Sequence, residues 1–325
     1  MAVILGHERL NGLLAMREAI DLLEEAFLHE GMGRTFVSPK LITEFEGGSL
    51  RVLVAADYQA GFFATKAYHT IQGVGVRYVV SLYRLSDGEL LALLDGQVIT
   101  DLRTGAASGV AARRVKVDGP VTIGVIGSGH QARTQLESLA SVYPVRSARV
   151  FSPTADHREA FAREMSASLG VPVRAVGSVE EAVSGCSVVA TASSARQSVP
   201  LLRGEWLAGC RLLCAVGNTR RQFAEADVRC FGDAGLVLVD SPHAFEEAGD
   251  LLAAVKAGAV PASKRATLAQ LVGGAVAAPV RGLVSFKSVG TALQDLALAA
   301  RCYELLHSVP GRPAEGDLAR LRGAK

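Results

Sequence analysis

The sequence predicts an α/β protein in two parts, a parallel sheet built from strand–helix crossovers and a smaller mixed α+β unit. Three observations predict it. Beyond residue 118, strand-length apolar runs alternate with helical stretches, the order that right-handed crossovers and a parallel sheet require. Before residue 118, one helix precedes several short strand segments joined by tight turns, which reads as a helix packed on an antiparallel sheet. The chain has 325 residues, more than one core comfortably fills.

Bulk composition narrows the classes. With 49% hydrophobic residues, 20% charged residues and 34 glycines, the chain suits an α/β fold rich in tight turns. The formal net charge is +2 and no Lys/Arg block is dense enough for a nucleic-acid groove, so no nucleic-acid partner is expected. Apolar runs such as 91–94 and 236–239 have strand length, far below the roughly 20 residues that span a bilayer, so no membrane partner is expected either. The N-terminus lacks a basic region, a continuous apolar core and a cleavage site, which reads as a cytoplasmic protein without an export signal. Cys186, Cys210, Cys214, Cys230 and Cys302 are scattered without a CxxC pair. They are expected as reduced, mostly buried thiols, and no metal site is expected.

Taken in order, residues 14–31 repeat apolar side chains at helical spacing (Leu14, Ile20, Leu22, Leu23, Ala26, Phe27), and Gly31 and Gly33 close the run. Strands are expected at 50–56, 62–68, 76–84 and 89–95, with Ser86, Asp87 and Gly88 as a hairpin turn. From 99 to 115 the small residues Thr104, Gly105, Ala106, Ala107 and Ser108 suggest a closely packed helix. Asp118, Gly119 and Pro120 then break the chain. After them come strands at 121–126, 147–151, 188–192, 211–216 and 236–239, among helices at about 130–142, 155–169, 178–184 and 222–230. A last helix covers 290–306, and the tail 308–325, with Pro310, Gly311 and Pro313, is expected to be peripheral. The expected domains are 1–117 together with the C-terminal helix 300–325, and 118–299.

The strand at 121–126 runs directly into Gly127, Ser128, Gly129, His130, Gln131 and Ala132, and a helix continues from Arg133. This is GxGxxA in a strand–turn–helix setting. Gly127 permits the tight turn, Gly129 lets backbone approach a diphosphate, and Ala132 allows the helix to pack closely on the strand. The helix dipole and the N–H groups of its first turn then face the phosphates. The second part is therefore expected to be a Rossmann-type domain binding a nicotinamide dinucleotide. A carboxylate at the end of the second strand would accept hydrogen bonds from the ribose of NAD. Here that position reads Ser152, Pro153 and Thr154, with His157 and Arg158 following. Hydroxyls and a guanidinium suit a 2′-phosphate, which favours NADP over NAD; a solvated arginine at a helix start is the plainer reading of Arg158.

Further segments carry a resemblance. They are Lys66 after the strand from Gly61 (GFFAT), Asp95 to Ser108 (DGQVITDLRTGAAS), and Gly124 to Arg133 (GVIGSGHQAR). To these are added Ala215 to Gly217 (AVG), Glu247 to Asp250 (EAGD), and Phe286 to Gly290 (FKSVG) with Asp295. In this order and spacing the chain resembles the ornithine cyclodeaminase/mu-crystallin family over almost its whole length. The resemblance implies a Rossmann domain paired with a substrate and dimerisation domain, a homodimer through the N-terminal sheet, and hydride transfer at the carbon bearing an amino-acid nitrogen. It implies that Lys66 is the active-site lysine and that Arg103 holds the substrate carboxylate, which a bidentate guanidinium does well. Lys40 stands where members often have a second carboxylate-binding arginine; it would bind as a point charge. Thr104 would support the cofactor phosphates from the other domain, and Ser288 and Gly290 would lie beside the nicotinamide.

One departure shifts the expectation from cyclodeamination toward reduction. Cyclodeaminases of ornithine and lysine carry an aspartate shortly after the AVG segment, where this chain has Asn218 and Thr219. Neither can act as a general base at neutral pH, and Asp227 lies too far along the chain to replace it. His69 is a further acid–base candidate, but in an unbroken strand it would face away from Lys66. His130 is expected near cofactor or solvent, and His243 is left open. The resulting expectation is an NAD(P)H-dependent imine or ketimine reductase, or amino-acid dehydrogenase, acting on a small amino or imino acid. The alternatives are an ornithine cyclodeaminase with retained NAD, yielding proline and ammonia, and a non-catalytic NADP-binding crystallin-like protein.

Overall fold

The computed structural model describes residues 2–194 and 198–307. Its contacts divide the chain into two units. The first runs through Arg103 and takes up the chain again from Thr291; the second is Thr104–Gly290. The first division thus falls inside the helix Gly96–Arg114 rather than at the expected 117/118. The last helix, Ala292–His307, joins the first unit from its start rather than from residue 300. The tail expected to be peripheral, 308–325, lies outside the described residues.

The first unit is a seven-stranded sheet with helices on it. Its strands are β1 (Val3–Leu5), β2 (Thr35–Val37), β3 (Leu41–Phe45), β4 (Gly48–Asp57), β5 (Phe62–Ile71), β6 (Gly75–Arg84) and β7 (Leu90–Asp95). They are ordered β1-β7-β6-β5-β4-β2, with β3 also pairing on β4; only β1–β7 is parallel. The helix Met16–Gly31 buries Met16, Ala19, Ile20, Leu23, Ala26 and Phe27, one apolar stripe at helical spacing. Arg301 of the last helix pairs with its Glu18 at 2.9 Å.

Register in the long strands positions the chemistry. Lys66 stands opposite Leu53 on β4 and Val80 on β6, and Tyr68 stands opposite Arg51 and Tyr78. Side chains alternate across a strand, so Lys66, Tyr68, Arg51 and Tyr78 share one face. Strand β5 continues unbroken through Ile71, past the expected end at residue 68. His69 therefore faces away from Lys66, as an unbroken strand requires.

The second unit is an eight-stranded, wholly parallel sheet. Its strands are β8 (Val121–Ile126), β9 (Val145–Phe151), β10 (Val173–Ala175), β11 (Val188–Thr191), β12 (Leu212–Ala215), β13 (Leu236–Val239), β14 (Arg265–Thr267) and β15 (Val284–Lys287). The order is β10-β9-β8-β11-β12-β15-β13-β14. The four-residue strands β11, β12, β13 and β15 are buried throughout, as central strands covered on both faces must be. The chain leaves β8 in one direction through β9 and β10, then returns to the other side as β11. Ligands bind outside the carboxyl ends of strands at such a reversal. The helix expected at 222–230 is shorter and later, Val228–Gly232; Asp227 ends the preceding loop and caps the helix by accepting from Cys230 N. Strong local capping chemistry outweighed the apolar spacing there.

Candidate active site

In the second unit, the turn after β8 has the two glycines in different roles. Gly127 has φ +112°, and a Cβ there would come 2.5 Å from the carbonyl oxygen of Ala192. Its N–H donates to Phe151 O at 2.8 Å, which fixes the turn against β9. A Cβ on Gly129 would meet nothing within 4 Å, so this residue is small toward open space rather than toward protein. Gly129 is also the N-cap of the helix His130–Val142, and no side chain caps that terminus. Ala132 is fully buried where helix meets strand. An open approach at Gly129, with an uncapped helix N-terminus behind it, fits the diphosphate of a dinucleotide.

The end of β9 carries hydroxyls as the sequence indicates. Ser128 Oγ donates to Ser152 Oγ at 2.9 Å, and Ser152 is buried. Arg158 Nη1 donates to Ser152 O at 2.9 Å and to Pro153 O at 3.3 Å, and its guanidinium lies 5.9 Å from the Phe151 ring centroid. Arg158 is thus folded onto the strand end, half-buried, while Thr154 is exposed. Arg133, just past the glycine motif, buttresses the turn. Its Nη1 donates to Ser128 O at 2.6 Å while its other nitrogens grip Glu164, whose carboxyl that hydrogen bonding holds below the usual range. His130 and Gln131 occupy the first turn of the helix, His130 exposed. Thr104 belongs to this second unit by its contacts, not to the other domain as expected, and its carbonyl accepts from Gln135 Nε2 at 2.9 Å.

Three buried acids brace the carboxyl ends of the neighbouring strands. Asp240, just after β13, accepts from Ser288 Oγ (2.6 Å), Gly290 N (2.8 Å) and Val289 N (2.9 Å). Ser288 therefore turns its hydroxyl inward to Asp240. Glu225 accepts from Thr191 Oγ1 (2.8 Å), Ser193 N (2.7 Å) and Gly217 N (3.0 Å), which ties the ends of β11 and β12. Burial pushes its carboxyl up, with the Lys287 ammonium opposing. Lys287 itself pairs with Asp250 at 2.9 Å, both fully buried. A lone acid beside a run such as LVLV, or a lysine inside VSFK, was the available signal for these partners, since buried charge demands pairing.

In the first unit, Lys66 is 2% exposed and surrounded by chemistry. Its Nζ donates to Asp295 Oδ1 at 2.7 Å and to Thr100 Oγ1 at 2.6 Å. It stands 5.2 Å from the Tyr78 ring centroid and 5.9 Å from that of Tyr68. Burial lowers its pKa to about 8, against the raising influence of Asp295, and the Arg103 guanidinium adds to the lowering. The Tyr78 hydroxyl is pushed up to about 12, chiefly by burial. Arg103 donates through Nη1 to Gln294 Oε1 at 3.0 Å and places Nε 3.5 Å from the same Asp295 Oδ1. Lys66 and Arg103, paired by resemblance alone in the sequence, are thus brought together by one carboxylate oxygen. Arg51, which the sequence reading did not single out, lies on the same sheet face with its guanidinium 5.6 Å from the Tyr68 ring centroid. Lys40 sits on the loop between β2 and β3, half-buried; the adjoining Ser38 pins that loop to Val54 of β4 through two hydrogen bonds.

At the site of the missing aspartate, Asn218 is buried and shapes its own loop. Its Nδ2 donates to the carbonyls of Arg220 and Phe223, and its Oδ1 accepts from Arg220 N. Thr219 is exposed. Asp227 is committed to Gly204 N and Cys230 N. His243 is exposed beside a short helix. Among the described residues, no group of three His, Cys, Asp or Glu side chains gathers to hold a metal ion, and no helix is long and apolar enough to cross a membrane.

A dinucleotide-type glycine turn in one unit, and a buried lysine–arginine–aspartate cluster in the other, define a two-unit α/β protein. The chain belongs to the ornithine cyclodeaminase/mu-crystallin family, whose model matches residues 2–309. It is 31% identical to the alanine dehydrogenase of Archaeoglobus fulgidus over 314 residues, covering 93% of this chain and 94% of that one. It is 32% identical to the ketimine reductase mu-crystallin of Mus musculus, covering 69% and 68% respectively. Among solved structures, the Thermococcus litoralis Δ1-pyrroline-2-carboxylate reductase in complex with NADH and L-proline superposes with a TM-score of 0.88 at 30% identity, covering 96% of this chain and all of that one.

Proposed function

We propose that this protein is an NAD(P)H-dependent imine reductase that converts a small cyclic α-imino acid to the corresponding amino acid. The observation that carries the reading is the Lys66–Asp295–Arg103 cluster, a proton-bearing ammonium beside a carboxylate-binding guanidinium in a dry setting. Its relatives' reductase and dehydrogenase activities support the same reading. The reduced nicotinamide supplies a hydride to the α-carbon. Arg103 holds the substrate carboxylate, with Arg51 on the same sheet face and Lys40 as further cations. Lys66 delivers the proton that the nitrogen takes up as the C=N bond is reduced. The turn at Gly127–Ala132 holds the diphosphate, with Arg133 keeping Ser128 in place.

NADP is the favoured cofactor: the end of β9 offers Ser152, Thr154 and Arg158 and no carboxylate for a ribose 2′-hydroxyl. Cyclodeamination is disfavoured by the loop at 218–227, where Asn218 and Asp227 are committed to backbone groups and Thr219 bears no carboxylate. A homodimer through the N-terminal sheet is supported by Phe36, Leu41, Ile42 and Phe45, large apolar side chains exposed on β2 and β3.

The test is direct. Purified protein is expected to oxidise NADPH, and NADH more weakly, with pyrroline-2-carboxylate or piperideine-2-carboxylate. If neither imino acid is reduced with either cofactor, the reading fails. Ammonia release from ornithine without net cofactor turnover would instead establish the cyclodeaminase.

A further inference from the structure

We infer that Asp295 is a positioning residue that holds the proton donor Lys66 and the carboxylate clamp Arg103 as one unit matched to an α-imino acid. This rests on the reductase reading above. One oxygen does the holding: Asp295 Oδ1 accepts from Lys66 Nζ at 2.7 Å and faces Arg103 Nε at 3.5 Å. In an α-imino acid the nitrogen and the carboxyl group sit on the same carbon atom. A donor for the nitrogen and a clamp for the carboxylate must then be neighbours, and two cations become neighbours in a buried site only with an anion between them. The helix Ala292–His307 supplies that anion in its first turn, and Gln294 beside it holds Arg103 Nη1 at 3.0 Å.

Thr100 completes the alignment. Its hydroxyl donates to Gly96 O, so its lone pair faces Lys66 and accepts a second N–H. Two of the three ammonium protons are thereby directed, and the rings of Tyr68 and Tyr78 flank the rest of the group. In the step assigned to Lys66, a bound reduced dinucleotide would supply the hydride, and its electron pair, for the new C–H bond at the α-carbon. The C=N π pair becomes a lone pair on nitrogen, and that pair takes a proton from Nζ. The N–H bonding pair stays on Nζ, leaving a neutral amine that solvent reprotonates.

The charged and titratable groups facing Lys66 are Asp295 on the last helix, Arg103 and Asp101 on the helix Gly96–Arg114, and Tyr68 and Tyr78 on the sheet. Asp295 favours the protonated lysine. The donor must be protonated, so reduction is expected to fall as pH rises through about 8. Removing the negative charge favours loss of the proton, so Asp295→Asn is expected to move this alkaline limb downward by about one unit, a loss of roughly fivefold at pH 8 beyond any fall in kcat.

The experiment measures kcat/KM against pH for reduction of pyrroline-2-carboxylate by the wild type, Asp295→Asn and Asp295→Glu. In parallel, ¹⁵Nζ-lysine NMR follows the Lys66 titration, assigned by its absence in Lys66→Arg. The expected result is a downward shift of both limb and NMR midpoint in Asp295→Asn, with the glutamate variant keeping the limb in place at reduced kcat. Lower activity with limb and NMR midpoint unmoved would overturn the inference and assign Asp295 a merely structural role. Should the asparagine variant not fold, Asp295→Ser, which also removes the charge, is read in the same way: a lowered limb and NMR midpoint support the inference, and an unmoved pair overturns it. If the wild type reduces no imino acid, the reductase reading falls, while the NMR titration still decides the Asp295–Lys66 coupling.

Discussion

The protein contains two buried lysine–aspartate pairs of similar geometry and different surroundings. Lys66–Asp295 in the first unit closes at 2.7 Å with both side chains 2% exposed; Lys287–Asp250 in the second closes at 2.9 Å with both fully buried. Around Lys66 the next charge is another cation, Arg103, which shares its carboxylate and helps push its pKa down. Around Lys287 the next charge is another carboxylate, Glu225. A buried ammonium that shares its carboxylate with a second cation has its hold on the proton weakened by that cation. One that faces two carboxylates, as Lys287 does, ties strand ends together. Burial and pairing alone therefore do not mark a reactive lysine; the sign of the third charge does.

Substituting each lysine by methionine separates the two roles, and the effects are the largest expected. Lys66→Met is expected to lower kcat/KM for imine reduction by about 10²–10⁴-fold, the range of a lost general acid. Lys287→Met leaves Asp250 buried without its cation and is expected to destabilise by about 3–5 kcal/mol, read as a lowered urea midpoint. The stability loss in Lys66→Met should be the smaller of the two, because Asp295 keeps Arg103. Equal stability losses with activity retained in both variants would abolish the distinction.

The two units were not equally legible in sequence. The glycine turn and its strand–helix frame are local, and Gly127 through Ala132 could be read from spacing alone. Lys66 and Asp295 lie 229 positions apart, and no periodicity links them; the lysine was found by resemblance and its carboxylate was seen only as part of a motif. Arg51 was invisible for a related reason, because its place on the Lys66 face depends on the pairing register of β4 and β5. Strands β2 and β3 escaped notice because β3 is exposed along its whole length, so its residues (LITEF) show no inside–outside alternation. His69, by contrast, was correctly placed away from Lys66 by the period of a strand.

The glycines of the turn give the next contrast, within the second unit. Alanine at 129 places its methyl group in open space, so the fold should tolerate it with an unchanged melting temperature, while the methyl blocks the approach of a diphosphate. Alanine at 127 strikes Ala192 O and must adopt a positive φ, so it should lose both stability and cofactor binding. Cofactor affinity by fluorescence titration, set beside thermal melts, checks both. An affinity at or above about a tenth of wild type in Gly129→Ala would mean that the diphosphate does not approach there.

The smallest expected effect concerns cofactor choice, and it bears on whether the second unit discriminates through charge or only through shape. Arg158 Nη1 already donates to the carbonyls of Ser152 and Pro153, and its plane rests near the Phe151 ring. The guanidinium is therefore preorganised at the strand end, and a guanidinium so held loses little further freedom in gripping a 2′-phosphate. It is also half-buried at most, so its attraction for phosphate is screened and should contribute about 1 kcal/mol. Arg158→Ala is thus expected to raise KM for NADPH by about fivefold while leaving KM for NADH nearly unchanged. An equal rise for both cofactors would show that Arg158 only shapes the end of β9. No change for either would remove the charge-based case for NADP and leave the Ser128–Ser152 hydroxyl pair as the feature to alter next, with Ser152→Asp expected to turn the preference toward NADH.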